Sequence, residues 1–200
     1  METKQKNRIG SLSRTTKETQ VEIALNLDGT GEVQVDTGIG FFDHMLTLFG
    51  CHGRFDLKIK AVGDLEVDLH HTVEDVGLVL GEVFRKALGD GAGIRRYGFF
   101  VVPMDEALAQ VALDLSGRPF LVFSVPFVGP SIGEFDTQLP QEFFRAFVNK
   151  AGATCHIQVP YGENDHHMIE AVFKAWGRAL RQAASIDPDV RGIPSTKGVL

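Results

Sequence analysis

The 200-residue sequence lacks the features that mark secreted and membrane-spanning proteins. It has only two cysteines, Cys51 and Cys155, too few for a disulfide framework or a thiolate metal site, which favours a reducing compartment. No apolar run approaches the roughly 18 residues of a membrane-spanning helix. Residues 1–12 also lack the apolar core of a signal peptide. We therefore expect a cytoplasmic protein with no membrane partner.

Positive charge is scarce as well. The 20 Lys and Arg residues against 26 Asp and Glu residues give a net charge of −6, so a nucleic-acid partner has no electrostatic support. An anionic ligand would therefore need a local cluster of arginine and lysine. The hydrophobic share of 44% and the charged share of 23% are those of an ordinary globular protein with a well-buried core.

What the sequence does contain is an internal repeat. Residues 21–35, VEIALNLDGTGEVQV, resemble residues 109–123, AQVALDLSGRPFLVF, and the alternation of apolar and polar residues predicts a β-hairpin in each. In both halves a glycine-terminated helix, a strand and a long amphipathic helix follow. These segments are 41–53, 54–64 and the helix after residue 68, and 139–152, 153–164 and the helix after residue 164. Two hairpins similar by chance would not explain this agreement in order.

The repeat predicts an α+β fold of two duplicated β-β-α-β-α half-domains. We place them at about residues 8–92 and 93–188 of a single domain, followed by a functional C-terminal tail at 189–200.

The same short motif opens both long amphipathic helices. The first motif, DLHHTVEDVG at 68–77, and the second motif, NDHHMIEAVF at 164–173, each contain two adjacent histidines followed by a glutamate. On a helix the glutamate can share a face with either histidine, whereas the histidines themselves point about 100° apart. They therefore cannot readily bind one ion together. The candidate ligands are His70, His71, Glu74, His166, His167 and Glu170.

Two copies of the motif suit two metal sites, each drawing on both copies. His44 in a helix and His156 in a strand could complete them, which gives each ion four protein ligands and two open positions. Asp68 and Asn164 can cap the two helices. Imidazole and carboxylate ligands suit Mn²⁺, Fe²⁺, Zn²⁺ or Co²⁺, and the sequence does not choose among them. A single motif would more often be a solvated helix start; His52 has no counterpart in the repeat and we assign it no role.

Six segments together resemble imidazoleglycerol-phosphate dehydratases. They are FFDHM (41–45), HHTVEDVGL (70–78), DEALA (105–109), DLSGRP (114–119), HHMIEA (166–171) and PSTKGVL (194–200). The resemblance runs from about Arg8 to the C-terminus, without the phosphatase domain that some members carry. It implies a hydro-lyase of histidine biosynthesis, which converts D-erythro-imidazole glycerol phosphate to imidazole acetol phosphate.

The resemblance also implies an architecture and a cofactor. Helices would be packed between sheets, and the subunits would form a homo-oligomer, a 24-subunit shell with its metal sites between subunits. Two Mn²⁺ ions per subunit are implied. By matching motifs the ligands would be His44, His70, His71, Glu74, His156, His166, His167 and Glu170.

The reaction requires an electron sink, because the departing hydrogen lies on a carbon with no adjacent carbonyl. A metal-bound imidazolate could expel the side-chain hydroxyl, since a cation lowers the pKa of the ring that it binds. Proton transfer needs a further group. The family resemblance and the stretch RTTKET indicate Glu18, which contacts the substrate as an acid–base group. The repeat pairs Glu18 with Glu106, so Glu106 or Asp105 is a second candidate.

The phosphate group of the substrate needs cations from this acidic chain. Arginine forks match phosphate oxygens, and a serine hydroxyl adds a donor. The candidates are Arg96, Arg118, Lys174, Ser195, Thr196 and Lys197, with Arg95 as the alternative to Arg96. Lys174 lies four residues after Glu170 and can reach the same pocket.

Two other functions fit the ligand inventory. A dinuclear metallohydrolase would use the same ligands, but it would not explain PSTKGVL or the arginines assigned to one phosphate. A metal-storage or metal-sensing oligomer would need neither Glu18 nor the phosphate cluster.

Overall fold

The computed structural model describes residues 8–200, so most of the segment considered for a signal peptide lies outside the described residues. Four helices and ten strands are present in the described part. In chain order they are β1 Ile9–Thr15, β2 Thr19–Asn26, β3 Val33–Asp36, α1 Gly40–Gly53, β4 Asp56–Gly63, α2 His70–Leu88, β5 Tyr97–Met104, β6 Ala107–Asp114, β7 Phe120–Ser124, β8 Ser131–Ile132, β9 Phe135–Asp136, α3 Leu139–Ala151, β10 Thr154–Tyr161 and α4 Asp165–Ala184.

The strands form two equivalent four-stranded sheets and one small ribbon. The first sheet has the order β1-β2-β4-β3 and the second has the order β5-β6-β10-β7, while β8 pairs with β9. In each large sheet the first two strands form an antiparallel hairpin. The last strand of each half, β4 or β10, is inserted beside the hairpin and runs parallel to β3 or β7. Helices α1 and α3 make the crossover that a parallel pair requires.

The four helices lie between the two sheets. Helix α2 packs on β1 and β2, α4 packs on β5 and β6, α1 contacts α4, and α2 contacts α3. The apolar sides of both sheets and all four helices enclose one core of buried side chains, including Trp176, Phe143 and Phe147. The predicted α+β class, the duplication and the placement of helices between sheets are confirmed.

The predicted pairing of strands is wrong in both halves. Residues 21–35 and 109–123 do contain two strands each, but β4 lies between β2 and β3, and β10 lies between β6 and β7. The hairpins are formed instead with β1 and β5, which the sequence reading had not assigned. Each half is therefore β-β-β-α-β-α. The boundaries at about 8–92 and 93–188 stay a prediction, although each large sheet takes all of its strands from one of these ranges.

Glycines allow the helices to approach closely. A Cβ atom on Gly77 of α2 would lie 2.7 Å from the main-chain oxygen of Phe143 in α3. A Cβ atom on Gly177 of α4 would lie 2.6 Å from the main-chain oxygen of Phe49 in α1. Both contacts join a helix of one half to a helix of the other half. Within residues 8–200, no helix is both long enough and apolar enough to cross a bilayer.

Candidate functional site

Three predicted metal ligands meet where α1 packs on the start of α4. The Oε2 atom of Glu170 lies 3.3 Å from Nε2 of His44 and 3.1 Å from Nε2 of His166. One ligand atom of each residue lies within 4.8 Å of the other two. Asn164 fixes the first turn of α4, because its Oδ1 atom accepts the N–H groups of His166 and His167, as predicted for a helix cap. This cluster combines a histidine of the first half with a motif of the second.

Glu170 is buried and carries its charge among cationic neighbours. Burial alone would raise the pKa of its carboxyl, but hydrogen bonds from Lys174, His44 and His166 outweigh that effect and lower the pKa. The Nζ atom of Lys174 lies 2.6 Å from Oε1 of Glu170 and also contacts Sδ of Met104 at 3.3 Å. Lys174 therefore lies beside this cluster, as its spacing indicates.

The separations within the cluster fit a divalent cation. Two adjacent ligands of one ion, each bound at about 2.1–2.2 Å, would lie roughly 3 Å apart. The two nitrogen–oxygen distances, 3.1 and 3.3 Å, are close to that value. Imidazole and carboxylate donors are those preferred by Mn²⁺, Fe²⁺, Zn²⁺ and Co²⁺. The residues present can thus hold such an ion with little rearrangement.

The first motif is arranged more openly. The Nε2 atom of His70 lies 3.8 Å from Oε2 of Glu74, and both side chains are nearly half exposed. Asp68 accepts the N–H of His70 at 2.8 Å, although the residue at the N-cap is Leu69. His70 lines a cavity of about 490 Å³, which also contains Glu142 of α3.

Glu142 is a candidate ligand that the sequence reading missed. Helices α1 and α3 both end at a left-handed residue, Arg54 and Gly152. When the helices are aligned by these residues, Glu142 of α3 falls at the position equivalent to His44 of α1. The pair of α2 with α3 thus repeats the pair of α1 with α4, with Glu142 in place of His44. Aligning the two helices by Gly53 and Gly152, the glycines that end them in the sequence, would pair His44 with Phe143 instead, so the structure is needed to reveal this position.

The same alignment does not bring His156 to either cluster. His156 lies in the middle of β10, between the buried residues Cys155 and Ile157, so its side chain points to the outer face of the second sheet. It is exposed there. Its role as a metal ligand stays a prediction that this chain's geometry does not support.

Each remaining motif histidine is held by a carboxylate through Nδ1. His71 lies 3.1 Å from Oδ2 of Asp64, and His167 lies 2.8 Å from Oε2 of Glu106. These hydrogen bonds are the main reason why the pKa values of both histidines are raised. A carboxylate on one ring nitrogen fixes the tautomer and leaves Nε2 as the ligand atom. In the described part of the chain, neither histidine joins a group of three close ligands.

The two candidate acid–base residues occupy equivalent hairpin tips but have different surroundings. Glu106 lies between β5 and β6, where its carboxylate accepts the N–H groups of Glu163 and Asn164 at 3.2 and 2.8 Å. Its contact with His167 is the largest of the effects that lower the pKa of Glu106 to about 2. This geometry favours a positioning role for Glu106 over proton transfer.

Glu18, between β1 and β2, is exposed. Its main-chain oxygen accepts the N–H of Asp64 at 3.1 Å, and its charge contributes to the raised pKa of His71. The neighbouring Thr19 donates to the buried carboxylate of Asp75 in α2, which fixes the loop beside the first motif. Glu18 therefore lies near the first motif while its carboxylate faces solvent.

The predicted phosphate-binding residues fall into two groups. Arg96 forms a two-pronged ion pair with Asp114 at 2.7 and 3.2 Å and donates to the main-chain oxygen of Pro194 at 2.9 Å. Arg118 also approaches Asp114, at 3.7 Å, and its side chain is 65% exposed. This first group therefore adjoins the start of the tail segment Ser195, Thr196 and Lys197.

Lys174 belongs to the second group, beside Glu170. Arg95 points elsewhere, toward Asp187 at 3.6 Å. Among residues 8–200 no ion pair or hydrogen bond joins Lys174 to the tail. One chain thus presents the parts of the predicted site at separate places.

Comparison with known proteins bears on this arrangement. The family model described as imidazoleglycerol-phosphate dehydratase matches residues 37–180. An imidazoleglycerol-phosphate dehydratase of Limosilactobacillus fermentum is 56% identical over 193 residues, which cover 96% of this chain and 100% of the relative. One of Azorhizobium caulinodans is 58% identical over 194 residues and covers 96% of this chain and 98% of the relative.

Solved structures give the same result. The crystal structure of imidazoleglycerol-phosphate dehydratase from Staphylococcus aureus has a TM-score of 0.82 and 42% identity, covering 90% of this chain and 99% of that chain. The structure of the enzyme from Pyrococcus furiosus has a TM-score of 0.81 and 37% identity, covering 94% of this chain and 100% of that chain. Fold, motifs and relatives agree, and the chain therefore belongs to the imidazoleglycerol-phosphate dehydratase family, the hydro-lyases that act in histidine biosynthesis.

Proposed function

We propose that this chain dehydrates D-erythro-imidazole glycerol phosphate to imidazole acetol phosphate with two divalent metal ions per subunit, Mn²⁺ first among them. The observation that carries the metal proposal is the cluster of His44, His166 and Glu170, whose ligand atoms all lie within 4.8 Å of one another. The family's place in histidine biosynthesis supports a cytoplasmic location.

The second ion would be held where α2 packs on α3. His70 and Glu74 lie on one side of the cavity there, and Glu142 lies at the position equivalent to His44. Carboxylate in place of imidazole keeps the site suitable for Mn²⁺, which accepts oxygen as well as nitrogen ligands. The two sites would then follow the duplication, each with one helix from each half.

The remaining ligands would come from neighbouring subunits. Adjacent histidines point about 100° apart, so when His70 and His166 serve the ions of their own chain, His71 and His167 point away from these ions. Both are already oriented by a carboxylate, Asp64 or Glu106. A histidine that is already oriented in this way is suited to bind a metal ion that reaches it only when subunits assemble. We therefore propose a homo-oligomer, with 24 subunits as the family resemblance implies, in which metal content and assembly depend on each other.

The chain's own residues would divide the chemistry as follows. When bound, the metal ions would supply positive charge to the imidazole ring of the substrate. Glu18 would accept the proton from the substrate carbon next to the one that loses its hydroxyl, because the Glu18 carboxylate is exposed beside the first motif. Lys174 would hold the substrate near the cluster, since its ammonium group lies directly beside Glu170.

Phosphate would bind at the tail. Arg118 is mostly exposed and is the stronger candidate for direct contact, together with Ser195, Thr196 and Lys197. Arg96 would act mainly by holding the tail through Pro194. Since these residues lie apart from Lys174 within one chain, subunit contacts would bring the two groups together.

The test is turnover of imidazole glycerol phosphate by metal-stripped protein before and after addition of Mn²⁺. We expect activity only after addition, at about two ions per chain, and a loss of both metal and activity in the Glu170→Gln and Glu74→Gln variants. Glu22→Gln, in the middle of β2, is the matched control and should keep both. Full metal content and full activity in both motif variants would contradict the proposal.

Competing functions give different results. A metal-storage protein would bind two ions without turnover, and its metal would not respond to an imidazole ligand. A metallohydrolase would release phosphate or cleave an amide instead of forming a ketone. Ultraviolet titration with a triazole-bearing phosphate, followed by assay of the products, separates these outcomes.

A further inference from the structure

A second cationic site lies outside the residues assigned to the reaction. A cavity of about 410 Å³ opens between the end of α1, the start of β5 and the second half of α4. We call it the arginine cavity. Its lining residues are Cys51, His52, Arg54, Arg95, Phe100, Arg178, Arg181, Gln182 and Ser185, with no carboxylate among them. Four guanidinium groups around one cavity contrast with the net charge of −6 on the whole chain.

Three of the arginines are placed by the backbone of well-defined elements. Arg178 and Arg181 lie three residues apart on α4, so both face the same side. Arg54 follows α1 in the left-handed conformation, with φ of 53°, where glycine is favoured and where α3 has Gly152. The chain thus has an arginine, and not a glycine, at a left-handed position that lines the cavity.

The positive charge in the cavity is weakly neutralised by the protein itself. Among residues 8–200, Arg95 is the only one of the four with a carboxylate within 4 Å, Asp187 at 3.6 Å. Arg178 lies over the ring of Phe100, 5.2 Å from its centroid, and Arg181 donates to the main-chain oxygen of Leu27. An aromatic face and a carbonyl do not cancel a full charge as a carboxylate does.

The neighbouring polar groups are consistent with an anionic occupant. The charge of Arg181 contributes to the lowered pKa of Asp28, but the main cause is Arg8. The Asp28 carboxylate is bound by Arg8 at 2.6 and 3.0 Å. The Oε1 atom of Gln182 accepts the N–H of Phe99, so the side-chain NH₂ group of Gln182 can donate to an anion. Burial first, and then the charges of Arg178 and Lys174, lower the pKa of His52, which agrees with a cavity rich in positive charge.

We propose that the arginine cavity binds a compact phosphate-bearing molecule at a site separate from the metal clusters and from the phosphate-binding tail. Guanidinium forks match phosphate oxygens with paired hydrogen bonds, and three of the four lie on different elements, so they surround the occupant. The volume suits a small monoester. Of the residues predicted to bind the substrate phosphate, only Arg95, the alternative to Arg96, lines this cavity, and it points away from the tail, toward Asp187. The inference therefore does not depend on the proposed function.

The direct test locates the anion. Crystals of the metal-loaded protein would be soaked in tungstate, a heavy phosphate analogue, and anomalous density would be sought between Arg54, Arg95 and Arg178. We expect a peak there in addition to any peak at the tail. The Arg54→Gln/Arg178→Gln double variant should lose the first peak and keep the second. Absence of density in the cavity of the unchanged protein would overturn the proposal.

Affinity supplies the second test. In calorimetric titration with inorganic phosphate, the binding component of the cavity should weaken roughly 100-fold in the double variant, about tenfold for each lost guanidinium, while binding at the tail remains. The Arg85→Gln/Lys86→Gln variant on α2 removes the same charge elsewhere and should change affinity less than twofold. Equal weakening in both variants would mean only a response to net charge and would contradict a defined site.

Cys51 offers a probe inside the cavity. Saturating phosphate should slow its alkylation by iodoacetamide severalfold in the unchanged protein and in Arg118→Gln, but not in the double variant. Glycerol 3-phosphate distinguishes the sources: tighter binding than inorganic phosphate indicates a monoester site, and equal binding indicates a site for the free anion. Alkylation unaffected by either ligand would contradict the proposal.

Discussion

The Oε2 atom of Glu106 lies 2.8 Å from Nδ1 of His167, whereas the equivalent carboxylate of the first half, Glu18, forms no hydrogen bond or ion pair with a histidine of residues 8–200. In the first half, Asp64 holds His71 instead. The equivalent glutamates of the two halves therefore have different roles: one orients a histidine, and the other does not. Glu106 is anchored by main-chain N–H groups, and Glu18 keeps an exposed carboxylate.

This division predicts different losses in two matched variants. Glu106→Gln should lower metal affinity about 10–100-fold, because an orienting partner of a histidine ligand is lost. Glu18→Gln should retain the metal but lower kcat by about 10²–10⁴-fold, since it removes a proton-transfer group. Metal content by mass spectrometry and steady-state kinetics measure the two effects. A fall in kcat at full metal occupancy in Glu106→Gln would show instead that Glu106 transfers protons.

Gly98 tests the packing of the second hairpin on α4. A Cβ atom at this position would collide with the main-chain oxygen of Ala179, and Gly10 meets Val83 in the same way in the first half. Gly98→Ala should therefore lower the free energy of unfolding by about 1–3 kcal/mol. The control is Gly40→Ala, where nothing lies within 4 Å and alanine favours the helix. Urea denaturation at a fixed protein concentration compares them, and equal midpoints would contradict the packing.

Asp56 should make stability depend on pH. Its carboxylate accepts the N–H groups of Thr30, Gly31 and Glu32 at 2.8–3.2 Å, and these bonds, with Thr30 the largest contributor, lower its pKa. The stabilisation is therefore complete above the unfolded pKa of about 3.9 and is lost as the pH falls through the lower folded value.

Replacement of this carboxylate gives the measurement. Asp56→Asn should cost about 1–2 kcal/mol of unfolding free energy at pH 7, and the difference from the unchanged protein should shrink below about pH 4. Asp36→Asn, at the exposed end of β3, is the control and should have little effect. A constant difference between pH 3 and pH 7 would mean that the charge of Asp56 does not act through these hydrogen bonds.

The two cysteines should react very differently. Cys51 is exposed, while Cys155 is fully buried and burial strongly raises the pKa of its thiol. A thiol reagent should therefore modify one group per native chain quickly and the second only in denaturant, because the thiolate is the reactive form. Cys51→Ser should abolish the fast phase. Its persistence in that variant would show that β10 opens in the native protein.

The sequence predicts the class of fold and the helices well, because glycine stops and apolar periodicity act locally. It does not predict strand pairing. The alternation of β2 and β3 is correct, yet their partners depend on the insertion of β4, a long-range choice that no local pattern encodes. Strand β1 was missed because Gly10 occupies a position where the alternating pattern requires an apolar residue. The position is glycine because α2 packs directly on the backbone of β1 there.

The site was predicted to a similar degree. Glu170 shares a helix face with His166 and with Lys174, as their spacing predicts, because helical periodicity determines which residues share a face. His44 reaches this face only through the packing of α1 on α4, which spacing does not encode. His156 was named as a ligand because it is a further histidine, in a strand of the second half, and because the family resemblance implies it. The period of two along β10 directs its side chain outward in this chain. Glu142 was missed because its chemistry differs from that of its counterpart. Only the packing of α3 on α2 reveals that the two are equivalent.

The pairing of α1 with α4 has a consequence for how the cluster comes together. In the described residues, the histidine of α1 meets a motif that is encoded more than a hundred residues later. Because both groups lie on one chain, their encounter is intramolecular. Its effective concentration is set by the connecting chain and not by the abundance of the protein.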